Sequence, residues 1–499
     1  MNDGYDWSRR EFLHAAGKIA VGATLLGAAP AAARAAHSAL LEEERLEATL
    51  AELVRDLERS AHYAAAFYVE TSGAGAQANR TDQTANRQAR AAGVVFQAFD
   101  GSIFHETSTN RLDPDSLRAV VRDLKRGMAK RSHPERTIDP GSELVTRRIS
   151  PRVQDVTHLD PSALRDRASE ALETIQSRDP RIRSVNVGMS YSQVKKLFVN
   201  RNRRIHQDLL YTNVFLSAFV TDQGATARPF RVYRNLAGFE ATRLAPAEYD
   251  AFHSVVEDLL RAERIPPGVY DVVSEPEVTG LLVHESFGHG VECDQFVKGR
   301  ARAAHFLGKR VAPEWVSIWD DPTRFDSNGS YFFDDEGMEA RPTQIVRDGI
   351  FVQPLTDLFS ANVAGIRRTG NGRRQSFQNK AYARMSNTFF GVGTTPVAEM
   401  IASLENGIHL AGFESGIEDP HGWGIQFTCN RGYEVKNGRR TGRVFSPVGV
   451  QGYVPDILDS IQQVGNELRL HPGTCGKGFK EYVPVSGGGP HLRFRAPLA

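Results

Sequence analysis

Two histidines and a glutamate lie close together in the segment Gly280 to Gly290, which reads GLLVHESFGHG. The pattern is His284-Glu285-x-x-x-His289, directly after an apolar run. Two histidines can hold Zn²⁺, and a neighbouring carboxylate can act as general base toward an attacking water. The pattern therefore indicates a metal-dependent hydrolase of a stable bond such as an amide. The alternative is two core or surface histidines in a glycine-rich turn.

The spacing of the two histidines sets a condition on the backbone. The familiar zinc-protease spacing is four residues on one helix face, whereas His284 and His289 are five apart. Five residues of regular α-helix turn roughly 500°, so the rings would point about 140° apart and could not share one metal. A π-type turn brings such positions into line. We therefore expect a distorted turn from Ser286 to His289, which Gly288 is best suited to accommodate.

A catalytic zinc needs a third protein ligand and an open position for water. Cys475 lies in a glycine-rich segment, and its thiolate would be a good zinc ligand. Cys293 is four residues past His289, and a Cys293–Cys429 disulfide is an alternative in an oxidising compartment. Asp294 is a candidate acceptor for a zinc-bound histidine. The candidate third ligands, which the residues alone do not separate, are Glu292, Cys293, Asp294, Cys429 and Cys475.

Further motifs follow in order along the chain. They are Phe333-Asp334-Asp335-Glu336-Gly337, Thr369-Gly370-Asn371-Gly372-Arg373-Arg374, Arg384-Met385-Ser386-Asn387-Thr388 and Gly473-Thr474-Cys475-Gly476-Lys477. Together with the segment from Leu282 to Asp294, they resemble the TldD branch of the TldD/PmbA family of metalloproteases. The resemblance covers nearly the whole mature chain, more loosely in its N-terminal half, and the ordered set is far more specific than the first motif alone.

The resemblance implies one Zn²⁺ per chain, held by His284, His289 and Cys475, with Glu285 as base. It implies peptide or unfolded-protein substrates bound as an extended strand, consistent with main-chain pairing to a sheet edge. It also implies a dimer, formed either with a second copy or with a metal-free PmbA-like sister chain. The candidate substrate-binding residues within the motifs are Asp335, Glu336, Arg373, Arg384 and Asn387.

Two residues depart from the family pattern. Cys293 stands where Gly or Ala is usual, which argues against a role as ligand, and Ala383 stands where Pro is expected. Two other functions compete with a peptidase. One is a zinc hydrolase of a non-peptide amide, for example in the cell wall; the other is a non-catalytic subunit that binds peptide. The presence of Glu285 argues against the second, because a structural metal site needs no base.

The first 36 residues form the largest departure, because familiar members of the family are cytoplasmic. Ser8-Arg9-Arg10-Glu11-Phe12-Leu13 precedes a weakly apolar stretch and then Ala33-Arg34-Ala35. That order resembles a twin-arginine signal peptide, with a frayed amphipathic helix as the alternative. It predicts a periplasmic or secreted protein. No second apolar run approaches the length of a membrane span.

The overall composition excludes several classes of protein. The 499 residues include 61 Lys+Arg and 60 Asp+Glu, a net charge of +1. This balance leaves no broad electrostatic case for binding nucleic acid or an anionic membrane. Three cysteines in this length cannot form a disulfide framework.

The periodicity of apolar residues predicts elements that would position these motifs. Helices are predicted over 38–60, 113–130, 161–178, 245–264 and 455–468. Hairpins are predicted at 94–104, 345–352 and 433–440, each around an Asp-Gly or Asn-Gly pair. Strands are predicted within 185–234, and a loop over 134–161. The fold class is therefore α+β: a mixed α/β N-terminal domain over 37–265, then a β-rich domain over 266–499 that carries the metal-site helix.

Overall fold

The structure is a computed structural model that describes residues 31–128, 130–478 and 481–499, with side chains from residue 41 onward. The arginine pair and apolar stretch of the predicted signal peptide lie outside the described residues. Within the described part of the chain, no helix is both long and apolar enough to cross a membrane.

Helices are interspersed among groups of strands in the first half of the chain, and strands dominate the second half. The α-helices are α1 (Ala31–Glu58), α2 (Pro114–Arg126), α3 (Ser162–Arg178), α4 (Pro246–Leu260), α5 (Pro276–Val283), α6 (Cys293–Val297), α7 (Leu358–Ala364), α8 (Val397–Ala402) and α9 (Val454–Asp459). The strands of the first half are β1 (Tyr63–Asn79), β2 (Gln83–Phe99), β3 (Phe104–Thr109), β4 (Leu144–Ile149), β5 (Ile182–Asn200), β6 (Arg203–Asp222), β7 (Ala225–Ala227) and β8 (Phe230–Asn235). Those of the second half are β9 (Gly268–Ser274), β10 (Ile318–Asp320), β11 (Thr343–Arg347), β12 (Ile350–Phe351), β13 (Gly372–Arg373), β14 (Tyr382–Ala383), β15 (Asn387–Phe390), β16 (Asn406–Asp419), β17 (Gly424–Lys436), β18 (Arg439–Phe445), β19 (Val448–Tyr453), β20 (Gln463–Val464), β21 (Arg469–Lys477), β22 (Glu481–Gly489) and β23 (Leu492–Leu498).

The N-terminal half is one mixed sheet with helices against it. Its order is β3-β2-β1-β5-β6-β4, and β7 and β8 also pair with β6. Helices α3 and α4 bury Leu172 and Phe252 in a core shared with Val187 of β5. The opposite face contributes Phe67 and Phe198 to a core that also contains Phe333, so it packs against the C-terminal half.

The C-terminal half contains two larger sheets with α5 between them. One has the order β16-β9-β23-β19-β17-β18, with β20 paired to β23, and its path from β16 to β17 closes into a ring because β16 also pairs with β17. The other has the order β12-β11-β10-β15-β22-β21. Helix α5 contacts β22 on one side and β16 on the other, and its residues Val278 and Leu282 are fully buried. The helix before the histidines is therefore held from both sides by sheet.

The predicted α+β class and the β-rich second half are confirmed. The predicted boundary at 265/266 lies between α4 and β9 and stays a prediction. Two local predictions are wrong. The region 134–161, predicted as a loop, contains β4. The helix predicted over 455–468 ends at Asp459, and β20 begins at Gln463. The long strand β1 was not predicted, because its alanines, glycines and serines have low intrinsic strand preference.

Candidate metal centre

The two histidines lie on a π-helical turn. Helix α5 ends at Val283, residues His284–Gly288 form the π turn, and the backbone N–H of His289 donates to the carbonyl of His284. The predicted distortion is confirmed, although it begins at His284 rather than Ser286. It brings the two imidazole rings to a centroid separation of 5.0 Å, which regular α-helical geometry would not allow at this spacing.

Side chains around the turn donate hydrogen bonds to its backbone carbonyls. The Ser286 hydroxyl donates to the Leu282 carbonyl at 2.6 Å. The Trp423 indole N–H donates to the Ser286 carbonyl at 3.2 Å, and its buried ring packs on Phe287 with centroids 5.5 Å apart. Since an unpaired buried carbonyl is costly, these contacts stabilise the unusual turn.

Two glycines bring α5 close to the hairpin of β21 and β22. A Cβ placed on Gly280 would lie 2.6 Å from the carbonyl carbon of Gly487, and one on Gly487 would lie 2.8 Å from the carbonyl oxygen of Gly280. Real Cβ atoms do not approach so closely, so only glycine allows this contact between helix and strand. The partner of β22 in the hairpin is β21, which carries Cys475.

Cys475 is the cysteine that reaches the two histidines. Its Sγ lies 3.2 Å from Nε2 of His289, and the ligand atoms of His284, His289 and Cys475 all lie within 4.8 Å of one another. Donors bound to tetrahedral zinc are about 3.3–3.8 Å apart, so small side-chain adjustments would suit this donor set to zinc. Cys293 and Cys429 are also buried and free, so the structure does not contain the alternative disulfide.

The surroundings of Cys475 favour the thiolate. Burial alone would raise the pKa of the thiol, but His289, His284 and Arg384 outweigh it and hold that pKa well below its usual range. Arg384 contacts the Sγ at 3.1 Å. By contrast, burial raises the pKa of the Cys293 thiol to about 12. Metal ligation requires deprotonated sulfur, so Cys475 is the better candidate ligand.

Glu292 orients His289 from the side opposite the cysteine. Its Oε2 lies 3.2 Å from Nδ1 of His289 and accepts from Nζ of Lys477 at 2.9 Å. Burial would raise the pKa of Glu292, but Lys477 and His289 lower it to about 2. Asp294, the acceptor that the sequence predicts for a metal-bound histidine, instead accepts from Nζ of Lys477 at 2.6 Å. Because Glu292 engages Nδ1 of His289, the Nε2 atom of that ring faces Cys475.

Glu285 is buried beside an exposed strand. A Cβ on Gly416 of β16 would lie 2.4 Å from Oε1 of Glu285, so a glycine there leaves room for the carboxylate. Glu418, two residues further, lies with Glu285 and His289 in a group whose ligand atoms are within 4.8 Å of one another. Burial and Glu285 raise the pKa of Glu418 to about 7, partly opposed by His289. Sequence reasoning missed Glu418, which stands in no motif.

The edge of β16 beside Glu285 has no strand partner in the described chain. Pairing of β16 with β9 covers only Gly407 to Leu410, whereas its pairing with β17 continues to Asp419. The outer half of β16 therefore presents one free edge of backbone donors and acceptors. Such an edge can pair with an extended peptide.

Of the five candidate substrate-binding residues, the structure brings Arg384 to the cysteine. Its Nη2 donates to the Cys475 carbonyl at 2.7 Å and its Nε lies 3.8 Å from Glu292. Arg373 lies nearby but donates to main-chain carbonyls, at 2.6 Å to Met385 and 2.8 Å to Pro484. These contacts hold the strands around the centre together.

The other three candidates are buried in contacts within the protein. Asp335 accepts from Lys196 of β5 at 2.5 Å, which joins the two halves of the chain. Glu336 accepts from the N–H of Leu358 at 2.5 Å, and burial followed by neighbouring carboxylates raises its pKa to about 8. Asn387 donates to a main-chain carbonyl at 2.7 Å. The structure does not group them with the histidines, and their role toward substrate stays a prediction.

Comparison with known proteins relates the C-terminal half of the chain to metallopeptidases. Residues 267–497 match the model of the PmbA/TldA metallopeptidase C-terminal domain. A metalloprotease of Methanothermobacter thermautotrophicus is 35% identical over 237 residues, which are 48% of this chain and 51% of that protein. A zinc metalloprotease TldD homolog of Saccharolobus solfataricus is 31% identical over 46% of this chain and 51% of its own. The alignments thus span about half the length of these relatives.

Longer matches extend over both halves of the chain. A metalloprotease TldD homolog of Buchnera aphidicola is 26% identical over 81% of this chain and 85% of that protein. The solved structure of TldE from Thermococcus kodakarensis is similar with a TM-score of 0.71 at 16% identity, over 90% of this chain and all of that one. The solved structure of a putative modulator of a DNA gyrase from Thermotoga maritima is similar with a TM-score of 0.72 at 19% identity. The match covers 90% of this chain and 99% of that one. These solved structures show the shared fold, and the relatives that match in sequence are named as metalloproteases or TldD homologs.

Proposed function

We propose that this chain is a zinc-dependent peptidase whose metal ligands are His284, His289 and Cys475. The observation that supports this most is the convergence of two imidazoles and one thiolate-favouring sulfur within 4.8 Å of one another. Two neutral ligands and one thiolate would leave part of the charge of Zn²⁺ uncompensated. A buried carboxylate, Glu285, lies within 4.8 Å of one of these ligands, His289.

In this proposal each residue around the metal site has a separate role in hydrolysis. When bound, zinc would supply Lewis-acid polarisation of the scissile carbonyl and acidify a water. Glu285 takes a proton from the attacking water and returns it to the leaving amine. Glu292 and Lys477 keep one nitrogen of His289 engaged, so that the other stays available to the metal.

The substrate in this proposal is a peptide or unfolded segment in extended form. The unpaired edge of β16 passes Glu285 at Gly416. A peptide that added to this edge would be held by main-chain hydrogen bonds and would bring successive carbonyls past the carboxylate. Such binding depends little on side chains, which suits unfolded protein better than a folded surface.

Partner and location complete the proposal. Dimerisation with a second copy or with a metal-free sister chain is consistent with the fold shared with TldE, and native mass measurement distinguishes the two. Export through the twin-arginine route rests on residues 1–36. Export of a reporter protein fused to these residues tests this route. The control is the same fusion carrying both Arg9→Lys and Arg10→Lys.

The assignment of the base is tested with Glu285→Gln. We expect zinc content to be kept and cleavage of a labelled unfolded protein to fall about 10²- to 10⁴-fold, the usual contribution of a general base. If the variant kept both its zinc and its full activity, Glu285 would not be the base. A panel of peptides and glycan-linked amides separates a peptidase from a hydrolase of cell-wall amides.

The ligand set is tested with two cysteine variants. Cys475→Ser should lose zinc in elemental analysis, because it removes the sulfur beside His289. Cys293→Ser is the matched control: it alters a buried thiol of raised pKa outside the group and should keep zinc. The reverse result would move the third ligand to Cys293.

A further inference from the structure

A cavity of about 200 Å³ lies behind the strand that carries Cys475. It is bounded by β5, β6 and β8 of the N-terminal sheet and by the β21–β22 hairpin. Thr474 lines it, whereas Cys475, His284 and His289 are not among its lining residues. The cavity is therefore separate from the metal centre but shares a strand with it.

The cavity contains an arginine without a carboxylate partner. Arg234 donates from Nε to the side-chain oxygen of Asn213 at 3.1 Å and from Nη1 to the Thr474 hydroxyl. Burial lowers its pKa, and no neighbouring charge opposes this. Arg231 on the same strand is paired with Glu277 at 3.1 Å, whereas no carboxylate of a described residue forms an ion pair with Arg234. A half-buried guanidinium with only neutral partners is well placed to receive an anion.

Cross-strand register gathers hydroxyl groups next to this guanidinium. Ser190 is directly opposite Asn213, which is opposite Arg234, and Ser192 is opposite Tyr211. Directly paired residues point to the same face of a sheet, and all five line the cavity. The hydroxyls of both serines and of Tyr211 have no hydrogen-bond partner among the residues that the structure describes. They can therefore donate to a ligand.

We propose that this cavity binds a small oxyanion, a phosphate or carboxylate group, with Arg234 as its charged anchor. The ligand class follows from a lining that offers one cation and several hydroxyl donors but no carboxylate. Charge-assisted bonds from a guanidinium to such groups are among the stronger hydrogen bonds in proteins. Since Arg234 also contacts Thr474, the bound anion strengthens the attachment of the cysteine-bearing hairpin to the N-terminal sheet.

Calorimetric titration of the purified chain with inorganic phosphate tests the site. We expect Arg234→Gln to weaken binding at least tenfold, because it removes the charge. Arg183→Gln is the matched control, since Arg183 also donates to a threonine hydroxyl but lies on the surface outside the cavity; binding should be unchanged. Absence of binding by the unaltered chain at millimolar phosphate, or equal binding by Arg234→Gln, would overturn the proposal.

Two further arms identify the source of the anion and exclude the metal. Acetate and an N-acetylated dipeptide, with a free or an amidated C-terminus, are compared with phosphate: tighter binding of phosphate assigns a free phosphate, and binding only of the free-carboxylate dipeptide assigns a peptide terminus.

In a Cys475→Ser chain, retained phosphate binding supports the cavity, and its loss there refutes it. Tyr211→Phe, which keeps the ring packing, should weaken binding at least threefold even if Arg234→Gln does not fold. None of these readouts depends on peptidase activity.

Discussion

The sharpest prediction concerns Gly416, whose missing side chain makes room for the proposed base. A Cβ there would lie 2.4 Å from Oε1 of Glu285, about 1 Å short of the 3.4 Å at which ordinary contact begins. It would also lie 2.9 Å from Cδ1 of Leu281. In Gly416→Ala the carboxylate must therefore move by about 1 Å. Gly416 lies on an exposed stretch of strand, so the fold should tolerate the change.

Displacement of a catalytic group by about 1 Å costs on the order of 10² in rate, or about 2.7 kcal/mol of transition-state stabilisation. We expect kcat/KM of Gly416→Ala toward a fluorogenic unfolded substrate to fall by this factor. Zinc content should be unchanged, because the atoms nearest to the added Cβ belong to Glu285 and Leu281 and not to a proposed ligand. Stopped assays at several substrate concentrations separate kcat from KM.

Gly424→Ala is the control for this experiment. Gly424 is the cross-strand partner of Asp419 in the same hairpin, and the nearest atom to a Cβ there is 4.0 Å away. Its activity and melting temperature should match those of the unaltered chain. Full activity of Gly416→Ala with normal zinc content would show that the position of the Glu285 carboxylate does not govern the reaction.

Three other variants test the surroundings of the centre. Gly280→Ala places a Cβ 2.6 Å from a backbone carbon of β22, so overpacking should cost about 1–3 kcal/mol in urea unfolding; an unchanged midpoint contradicts the close approach. Glu292→Gln removes the charged partner of a ligand, and chelator competition should show zinc affinity about 10- to 100-fold lower; equal affinity contradicts the orienting role. Burial lowers the pKa of His409 to about 3 in the folded chain. Between about pH 6.5 and 3 the unfolded chain therefore carries a proton on His409 that the folded chain does not. The contribution of the neutral imidazole to the free energy of unfolding is complete above about pH 6.5 and is lost as the pH falls through this window. Urea unfolding from pH 4.5 to 7 should show a shallower pH slope for His409→Gln, and an identical slope refutes the assignment.

Local geometry explains what was predictable at the centre. The five-residue spacing of His284 and His289 is incompatible with one metal on a regular helix, so a π turn is predicted from the sequence once both are taken to bind one metal. The helices with clear apolar periodicity were predicted for the same reason. Strand β1 was not, because alanine, glycine and serine give a weak local signal and its structure depends on pairing with β2 and β5.

What the sequence by itself determined is the set of donor types and the backbone distortion that aligns two of them, since both depend on neighbours within one turn. Only the tertiary structure decided which cysteine joins them: Cys475 lies 186 positions from His289 and reaches it because Gly280 and Gly487 let a helix and a strand touch. The same is true of Glu418 of β16, whose type and position carry no periodic signal and which lies beside His289 only in the folded chain. Contacts between distant segments depend on how the sheets pack, and no local pattern encodes that packing.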